Sequence, residues 1–334
     1  MKKVKSINFG IIGCGVAGNR HAQAISKIKN AKLVGVTSFS GSSAINLASK
    51  YSGVLVMSLV EMMKSEAIDV ICICSPNKFH ARQAIMAINN QKHVIVEKPL
   101  ALKVGDAQKI LSLSLRKHVI VTVVLPRRFD KTWQGISKLF KKQILHHIQV
   151  VNLEQYYFRN DSYYTASSWH GKKELDGGVL LTQGIHYIDL LENLIDLSYQ
   201  DKKIDLSHIS RINSIGIKLK RNLEVADTVS SQFLLDKKVL GSINISTSAY
   251  PGYSSKIFIL CQQGSIVVVN DKIVSWGIVD VPKPGEGSSG WDEKSVIPII
   301  KDMINSINTA LPPKINLSSV VRSLELTLAL NKSI

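Results

Sequence analysis

The sequence predicts an α/β fold followed by an α+β fold: a doubly wound parallel sheet, then a domain built on a mainly antiparallel sheet. Two observations predict this organisation. Over residues 4–125, short apolar runs alternate with segments of helical periodicity, which is typical of βαβ units. Beyond about residue 145, successive strand-like segments follow one another across short turns, which indicates antiparallel pairing. We therefore expect two domains, over residues 1–126 and 127–334.

The first domain is predicted from apolar runs that suit strands buried on both faces. These runs are Ile7–Ile12, Lys32–Ser38, Val70–Cys74, His93–Val96 and Val119–Val123. Segments with apolar residues three and four positions apart predict the helices Asn19–Ile28, Ser43–Tyr51, Leu59–Lys64, Phe79–Asn89 and Val104–Leu115. Because crossovers between parallel strands are right-handed, these helices should cover both faces of the sheet.

The second domain is predicted to begin with a strand over Ile148–Tyr156 and a helix over Val179–Leu194. Six strands joined by short turns follow: Ile215–Lys220, Asp227–Leu235, Val239–Thr247, Ser255–Cys261, Gly264–Asn270 and Lys272–Trp276. Two helices close the chain, over Ile297–Asn308 and Ser318–Leu328, and the C-terminal helix can return to the first domain.

Composition limits the classes of function. The 334 residues are 45% hydrophobic, which supports two buried cores and excludes a disordered chain. The chain has 42 Lys and Arg against 25 Asp and Glu, and the charge of +17 favours anionic partners: nucleic acid, an anionic membrane or a phosphorylated small molecule. Because no nucleic-acid-binding motif occurs and the basic pairs are dispersed, we expect no nucleic-acid partner.

Cysteine usage and the apolar segments indicate the compartment. Four cysteines are too few for a disulfide framework, and none lies at metal-ligand spacing, so we expect a reducing environment and no metal. No uninterrupted run of about 18 apolar residues predicts a membrane span. The N-terminal MKKVK and the apolar segment after it resemble a secretory signal, but four glycines interrupt that segment. We therefore favour a cytoplasmic protein without a membrane partner.

A glycine-rich turn carries the strongest local motif. Gly13, Gly15 and Gly18 follow the first strand and open the first helix, as a dinucleotide-binding turn requires. The helix N-terminus at Val16 and Ala17 would present unpaired N–H groups to a pyrophosphate. The alternative interpretation is a purely structural glycine turn.

The end of the second strand bears on the choice of cofactor. In NAD-binding folds an acid about 20 residues past the glycines binds the ribose hydroxyls, but Ser38 stands at this end. The missing carboxylate permits the 2′-phosphate of NADP, whereas no arginine lies in residues 37–43 to bind it. The sequence thus leans towards NADP and leaves NAD open.

Three further motifs are SPNKFH at Ser75–His80, KHVIVEKP at Lys92–Pro99, and GGVLLTQGIHYID at Gly177–Asp189. With the glycine turn, their order and spacing resemble the glucose–fructose oxidoreductase/inositol dehydrogenase (Gfo/Idh/MocA) family over nearly the whole chain. The resemblance implies a Rossmann domain, then a domain like the C-terminal domain of glyceraldehyde-3-phosphate dehydrogenase. It adds a further set of cofactor-binding residues to the glycine turn and Ser38: Ser75, Pro76, Asn77, His80, Glu97 and Lys98.

Two residues are predicted to be catalytic. Lys98 follows a parallel strand at its carboxyl end, where open α/β sheets bind ligands, and its ammonium can stabilise an alkoxide that forms as hydride leaves. His186 can accept the hydroxyl proton near neutral pH. The alternatives are a solvated surface lysine and a structural core histidine. Inositol-dehydrogenase-like members carry an acid four residues before this histidine, whereas this chain has Thr182.

A narrower resemblance comes from Tyr163–Gly171, followed by Asp176–Gly178 and Gln183–His186. These segments are similar to the bacterial subgroup that oxidises the 3-position of UDP-N-acetylhexosamine uronic acids for surface polysaccharides. The resemblance implies a set of substrate-binding residues: Arg128, Arg159, Tyr164, Trp169, Lys173, Thr182 and His186. Arg127 and Arg128 can equally brace the connection between the domains, and the aromatic residues can equally pack internally.

The sequence therefore predicts an NAD(P)-dependent sugar dehydrogenase that acts on a nucleotide sugar. The alternatives are a dehydrogenase or reductase of a free polyol, aldose or dihydrodiol, and a non-catalytic regulator that binds the cofactor. An antiparallel sheet with one uncovered face also predicts a homodimer or homotetramer through that sheet.

Overall fold

A computed structural model describes residues 5–166, 169–200, 209–219, 223–252, 254–287, 292–332 and 334. The chain divides into two compact units, Met1–Pro126 with Ser289–Val321, and Arg127–Ser288 with Arg322–Ile334. The predicted second domain covered all of 127–334. Only the C-terminal helix was expected to pack against the first domain. The structure instead returns 289–321 to the first unit, because a helix over Glu293–Thr309 packs there.

The first unit contains one parallel sheet of six strands. The strands are β1 (Ile7–Ile12), β2 (Ala31–Thr37), β3 (Leu55–Val56), β4 (Val70–Ile73), β5 (His93–Val96) and β6 (Val121–Val123), in the order β3-β2-β1-β4-β5-β6. The helices are α1 (Val16–Ser26), α2 (Gly41–Ala48), α3 (Leu59–Lys64), α4 (Asn77–Asn89) and α5 (Val104–Lys117). Since β1 and β4 are adjacent central strands, their carboxyl ends bring the turns after residues 12 and 73 together.

The second unit begins with a 3₁₀ turn over Pro126–Phe129, α6 (Lys131–Lys141), β7 (Ile148–Tyr156) and α7 (Asp161–Thr165). A π turn over Leu180–Gly184 runs into α8 (Ile185–Ser198). The remaining strands are β8 (Ile209–Ile217), β9 (Thr228–Leu235), β10 (Val239–Ser246), β11 (Ser255–Cys261), β12 (Gly264–Val269) and β13 (Lys272–Ile278). They form a seven-stranded sheet in the order β13-β12-β11-β7-β10-β9-β8.

The predicted fold class is confirmed, with four local differences. Only β7 and β10 pair in parallel within the second sheet as described, since the other pairs there are antiparallel. The prediction missed α6, and it placed the first of the later strands at 215–220, whereas β8 covers Ile209–Ile217. It also missed β3, because two exposed residues that pair with β2 carry no alternating pattern.

Helix α8 lies on the inner face of the second sheet, and most of its residues are buried. Together with α6 it covers a core of branched and aromatic side chains, including Trp133, Phe140, Leu153, Phe233 and Ile243. This burial fixes α8, and therefore the π turn before it, against the sheet.

Two helices close the chain, α9 (Glu293–Thr309) and α10 (Leu317–Lys332). Within the first unit, α9 packs against α1, and Lys27, the C-cap residue of α1, forms an ion pair with Glu293 at 2.5 Å. Among the helices that the structure describes, none is long and apolar enough to cross a membrane.

Helix α8 carries a buried carboxyl group, Glu192, which is 1% exposed. Arg322 Nε donates to Glu192 Oε1 at 2.8 Å, and Oε2 has no hydrogen-bond partner among the described residues. Burial raises the pKa of Glu192 to about 7, although Arg322 and Arg128 oppose this rise. The folded state therefore binds more protons than the unfolded state between the ordinary pKa of 4.5 and about 7, and the free energy of unfolding falls as pH rises through this window.

We expect Glu192→Gln to reduce this loss of stability, because the amide has no charge to desolvate. Its free energy of unfolding should fall less than that of the wild type between pH 5 and 8, by on the order of 1–3 kcal/mol. Denaturant unfolding across this range measures the difference, and Glu154→Gln in β7 is the control. A wild-type pH dependence in Glu192→Gln would contradict the prediction.

Candidate active site

The glycine turn after β1 requires glycine at two positions for steric reasons. Gly13 has a φ of +94°, and a Cβ there would lie 2.5 Å from the carbonyl oxygen of Cys74. A Cβ on Gly18 would lie 2.0 Å from the carbonyl oxygen of Gly13. By contrast, a Cβ on Gly15 would meet nothing within 4 Å. Gly13 and Gly18 thus permit close packing, whereas Gly15 borders open space.

The open space lies at the N-terminus of α1. Gly15 is the N-cap and provides no side-chain hydrogen bond, and Val16 is 73% exposed. The first N–H groups of an α-helix have no partner within the helix and carry its positive dipole end, so they can bind phosphate. The turn therefore fits the pyrophosphate of a dinucleotide, which Gly13, Gly15, Val16, Ala17 and Gly18 would hold.

The end of β2 carries hydroxyl groups and no acid. Ser38 is half-buried, and Ser43 Oγ donates to Ser38 Oγ at 3.0 Å. Phe39 next to it is fully exposed. Neither a carboxylate for ribose hydroxyls nor an arginine for a 2′-phosphate lies in residues 37–43, so this strand end leaves the choice between NAD and NADP open.

The segment after β4 holds three of the predicted cofactor residues around a buried histidine. Ser75 Oγ donates to Gln83 Oε1 at 2.6 Å, Pro76 is the N-cap of α4, and Asn77 is buried. His80 is 1% exposed, and its Nδ1 and Nε2 each lie 2.7 Å from a carbonyl oxygen, those of Pro99 and Ser75. Both ring nitrogens of His80 therefore face backbone carbonyl oxygens, and its contact with a cofactor stays a prediction.

The peptide after β5 holds Glu97 and Lys98. Glu97 Oε1 lies 3.1 Å from Nε2 of His21, a fully buried residue of α1. Burial alone would raise the pKa of Glu97, but His21, Lys98 and His80 hold this pKa below its ordinary value. Lys98 is half-buried and precedes a cis peptide bond to Pro99. Sequence reasoning missed His21, because nothing in the spacing of α1 relates it to a residue 76 positions away.

In the second unit, His186 is the second residue of α8 and is 7% exposed. Thr182 lies in the preceding π turn, and its Oγ1 donates to the carbonyl oxygen of Gly178 at 3.0 Å. Because a hydroxyl has one proton to donate, Thr182 can only accept a further hydrogen bond. Asp176 supports this segment, since Oδ1 accepts from Gly178 N at 2.9 Å and Oδ2 accepts from Gly171 N at 2.7 Å.

A group of aromatic residues that we call the aromatic loop, Tyr163, Tyr164, Trp169 and His170, lies close to the π turn, which it contacts through Gln183. Arg159 Nη2 donates to Gln183 Oε1 at 3.1 Å, and Gln183 Nε2 donates to Tyr163 Oη at 3.2 Å. Tyr163 stacks on His170 at 4.2 Å between ring centroids, and Trp169 lies 3.9 Å from the same ring. Burial raises the pKa of Tyr163 to about 12, so its hydroxyl is neutral. Ser167 and Ser168 of the segment Tyr163–Gly171 lie outside the described residues.

Two other predicted substrate residues lie on either side of this cluster. Tyr164 Oη lies 2.9 Å from Thr247 Oγ1, within hydrogen-bond distance. Lys173 is exposed, and its backbone N–H donates to Glu224 Oε2 at 3.0 Å. Tyr164 and Thr182 belong to a set of residues lining a small depression: Tyr163, Tyr164, Asp176, Val179, Thr182, Leu223, Val225 and Ala226.

Arg128, which is predicted to contact the substrate, forms an internal ion pair, and its substrate contact stays a prediction. Its Nε and Nη2 donate to Asp189 Oδ2 and Oδ1, both at 2.7 Å, and its side chain is 7% exposed. Ser323 Oγ also donates to Asp189 Oδ1, at 2.7 Å. A buried bidentate pair leaves the guanidinium few donors for a ligand, so Arg128 supports α8 from within the second unit. Arg127 is similarly buried, with its guanidinium 3.9 Å from the Tyr187 ring centroid.

In the described part of the chain, no group of three or more His, Cys, Asp or Glu side chains can hold a metal ion. A doubly wound parallel sheet with a glycine turn between β1 and α1 defines the class of dinucleotide-binding proteins.

Comparison with known families specifies this class. The profile of the oxidoreductase family with an NAD-binding Rossmann fold, Gfo/Idh/MocA, matches residues 7–125. The profile of the Gfo/Idh/MocA C-terminal domain matches residues 133–267. The chain therefore belongs to the Gfo/Idh/MocA family, and the predicted family is confirmed. It is an NAD(P)-dependent oxidoreductase with an NAD-binding Rossmann fold.

Three known proteins illustrate the range of similarity. The WlbA dehydrogenase of Chromobacterium violaceum, solved with NADH and UDP-GlcNAcA, is 25% identical with a TM-score of 0.87, covering 100% of this chain and 94% of that chain. A 4-carboxy-2-hydroxymuconate-6-semialdehyde dehydrogenase of a Sphingobium species is 24% identical over 80% of this chain and 81% of its own. The scyllo-inositol 2-dehydrogenase (NADP(+)) IolU of Bacillus subtilis is 27% identical over 54% of this chain and 56% of its own.

The different surroundings of the glycines give a test of the cofactor cradle. We expect Gly15→Ala to keep the wild-type melting temperature without cofactor, because the methyl group enters open space at a φ of −77°. Its affinity for NADH and NADPH should fall roughly tenfold or more, since the methyl group obstructs the approach of the phosphates. Gly13→Ala should lower the melting temperature itself.

Calorimetric titration and thermal unfolding measure the two effects. Gly105→Ala is the matched control, because a Cβ there also meets nothing within 4 Å but lies on α5. Equal cofactor affinity in Gly15→Ala and Gly105→Ala would contradict the assignment of the cradle.

Proposed function

We propose that the protein is a sugar dehydrogenase that transfers a hydride between nicotinamide and C3 of a UDP-N-acetylhexosamine or its uronate. The similarity to the WlbA dehydrogenase carries this proposal, because it extends over the whole chain and that protein was solved with UDP-GlcNAcA. The aromatic loop, Gln183 and His186 form the part of the second unit that would receive the sugar.

Lys98 and His186 divide the acid–base work in this proposal. The bound nicotinamide supplies a hydride acceptor. Lys98 donates a hydrogen bond to the reacting hydroxyl oxygen, and its positive charge stabilises the negative charge that develops there. His186 accepts the hydroxyl proton. Because Thr182 replaces the acid of other members, the imidazolium that forms has no carboxylate partner at that position.

The basic and aromatic residues near the π turn would bind the nucleotide and the sugar. Arg159 is half-buried and its Nη2 donates to Gln183 Oε1, so its guanidinium places a positive charge beside the π turn. Lys173 offers a second, exposed cation, and Trp169 and Tyr164 offer rings for stacking. Arg128 is left out of this set because it is paired with Asp189.

The choice of cofactor is proposed to favour NADP, since no carboxylate at the end of β2 repels a 2′-phosphate. We expect a larger rise in melting temperature with NADP than with NAD at equal concentration, because the tighter ligand stabilises the native state more. Differential scanning fluorimetry at several ligand concentrations gives both affinities. A larger shift with NAD would reverse the assignment.

One alternative substrate class is supported by an observation. The similarity to a scyllo-inositol 2-dehydrogenase and the internal pairing of Arg128 favour a free polyol, which carries no diphosphate to bind. A regulator that binds the cofactor without turnover is the remaining candidate, and Thr182 is the feature that favours it.

A substrate panel separates these functions. We expect turnover of UDP-N-acetylglucosamine or its uronate, measured as reduced nicotinamide absorbance, with little turnover of inositols or glucose. Lys98→Met and His186→Gln should each lower kcat roughly 100-fold or more, because each removes a group that acts on the reacting oxygen. Lys103→Met, an exposed lysine close in sequence, is the control.

The outcomes distinguish the hypotheses. Turnover of inositol alone would favour the polyol enzyme, and a cofactor-binding protein inert with every sugar would favour the regulator. Wild-type turnover in both Lys98→Met and His186→Gln would contradict the assigned roles.

We also propose a homodimer or homotetramer formed through the second sheet. The face of this sheet opposite α8 carries apolar residues that are exposed or half-buried: Val150, Leu240, Phe258, Leu260 and Val267. A second copy of the sheet would cover them. Light scattering should give a multiple of the monomer mass, and Phe258→Asp should shift it towards the monomer. A monomeric wild type at micromolar concentration would contradict the proposal.

A further inference from the structure

We propose that His21 is a positioning residue that holds and neutralises Glu97 and thereby fixes the peptide that carries Lys98. This inference rests on the proposed role of Lys98 in catalysis. It concerns contacts within the first unit only.

The geometry of the pair supports this role. His21 lies on α1, three residues after Gly18, and its side chain is 0% exposed. Its Nε2 lies 3.1 Å from Glu97 Oε1, and the Glu97 side chain is 17% exposed. The pair thus joins the helix whose N-terminus forms the phosphate cradle to the residue immediately before Lys98.

The charges of the pair are complementary. Burial disfavours a charged ring, but Cys74, Cys72 and Glu97 raise the pKa of His21 well above 6.5. Burial raises the pKa of Cys74 itself to about 11, so that thiol is neutral near pH 7 and the Glu97 carboxylate is the charge that matters. An imidazolium at position 21 therefore compensates the carboxylate.

The energetics argue for a role other than stability. Desolvation of two charges costs several kcal/mol, and well-packed apolar residues of similar volume often stabilise a core as well as or better than a buried ion pair. A pair with this cost, placed beside a functional lysine, is better explained by the position it imposes.

The peptide is held on its other side as well. The carbonyl oxygen of Pro99, the residue after Lys98, lies 2.7 Å from Nδ1 of the buried His80. Lys98 therefore lies between two residues whose positions are set by histidines from α1 and α4. Errors of about 1 Å in the placement of a catalytic group can cost roughly 100-fold in rate, so this support has a measurable consequence.

A kinetic experiment tests the positioning role. We expect His21→Gln and Glu97→Gln each to lower kcat roughly tenfold or more, with KM for the sugar and the dissociation constant of NAD(P) within about threefold of wild type. The double variant should regain much of the kcat lost in His21→Gln, because two amides can hydrogen-bond and no uncompensated carboxylate remains. His93→Gln on β5 is the matched control.

A second measurement requires no substrate. Acetic anhydride acylates only the free amine of a lysine, and mass spectrometry gives the rate at Lys98. An uncompensated Glu97 carboxylate favours the ammonium form of Lys98, so His21→Gln should slow acylation about threefold at pH 8, whereas Glu97→Gln should accelerate it. His93→Gln should leave the rate unchanged.

Each outcome decides the proposal. Opposite changes in the acylation rate, together with a loss confined to kcat, support it. Acceleration in both variants, or a parallel loss of melting temperature and cofactor binding in both, makes the pair a structural element and overturns it. If Lys98→Met keeps full turnover while the acylation rates change as expected, the proposed catalytic role of Lys98 is wrong. The compensation of the Glu97 charge by His21 is then still supported.

Discussion

The close approach of α1 to the ends of β1 and β4 is the constraint on which the rest of the first unit depends. It is possible only because Gly13 and Gly18 lack side chains, since a Cβ at either position would overlap the main chain of Cys74 or of the turn itself. The approach places the N-terminus of α1 beside the open space at Gly15. It also brings His21 within hydrogen-bond distance of Glu97, the residue before Lys98. The lack of side chains at Gly13 and Gly18 is therefore needed both for the glycine turn and for the contact that supports Lys98.

The sequence allowed the regular elements of both units to be predicted because their patterns are local. Alternation and three-to-four spacing depend on neighbours a few residues apart, and the glycine turn has a fixed spacing. The internal contacts that it did not predict act over long separations. Arg128 pairs with Asp189 and His80 with the Pro99 carbonyl, and no local pattern distinguishes such internal pairs from ligand contacts. His21 was missed for the same reason.

The π turn before α8 contains Thr182, one of the predicted substrate-binding residues, and directly precedes the helix that carries His186. A π turn inserts one residue into a helical path and rotates the residues before it relative to those after it. Here it contains Thr182 and Gln183, whereas His186 belongs to the α-helix that follows. The single regular helix predicted over 179–194 is therefore a π turn followed by an α-helix.

The division of the chain has a consequence for biosynthesis. Helix α9 covers α1 but is encoded more than 250 residues after it, once almost the whole second unit has been translated. During translation, the face of α1 that α9 covers therefore stays exposed until α9 has been synthesised. Residues of α9 and α10 then complete the first and the second unit. Both units are therefore completed only by residues after 288, so removal of the segment over 293–332 would affect the cofactor domain as well as the second unit.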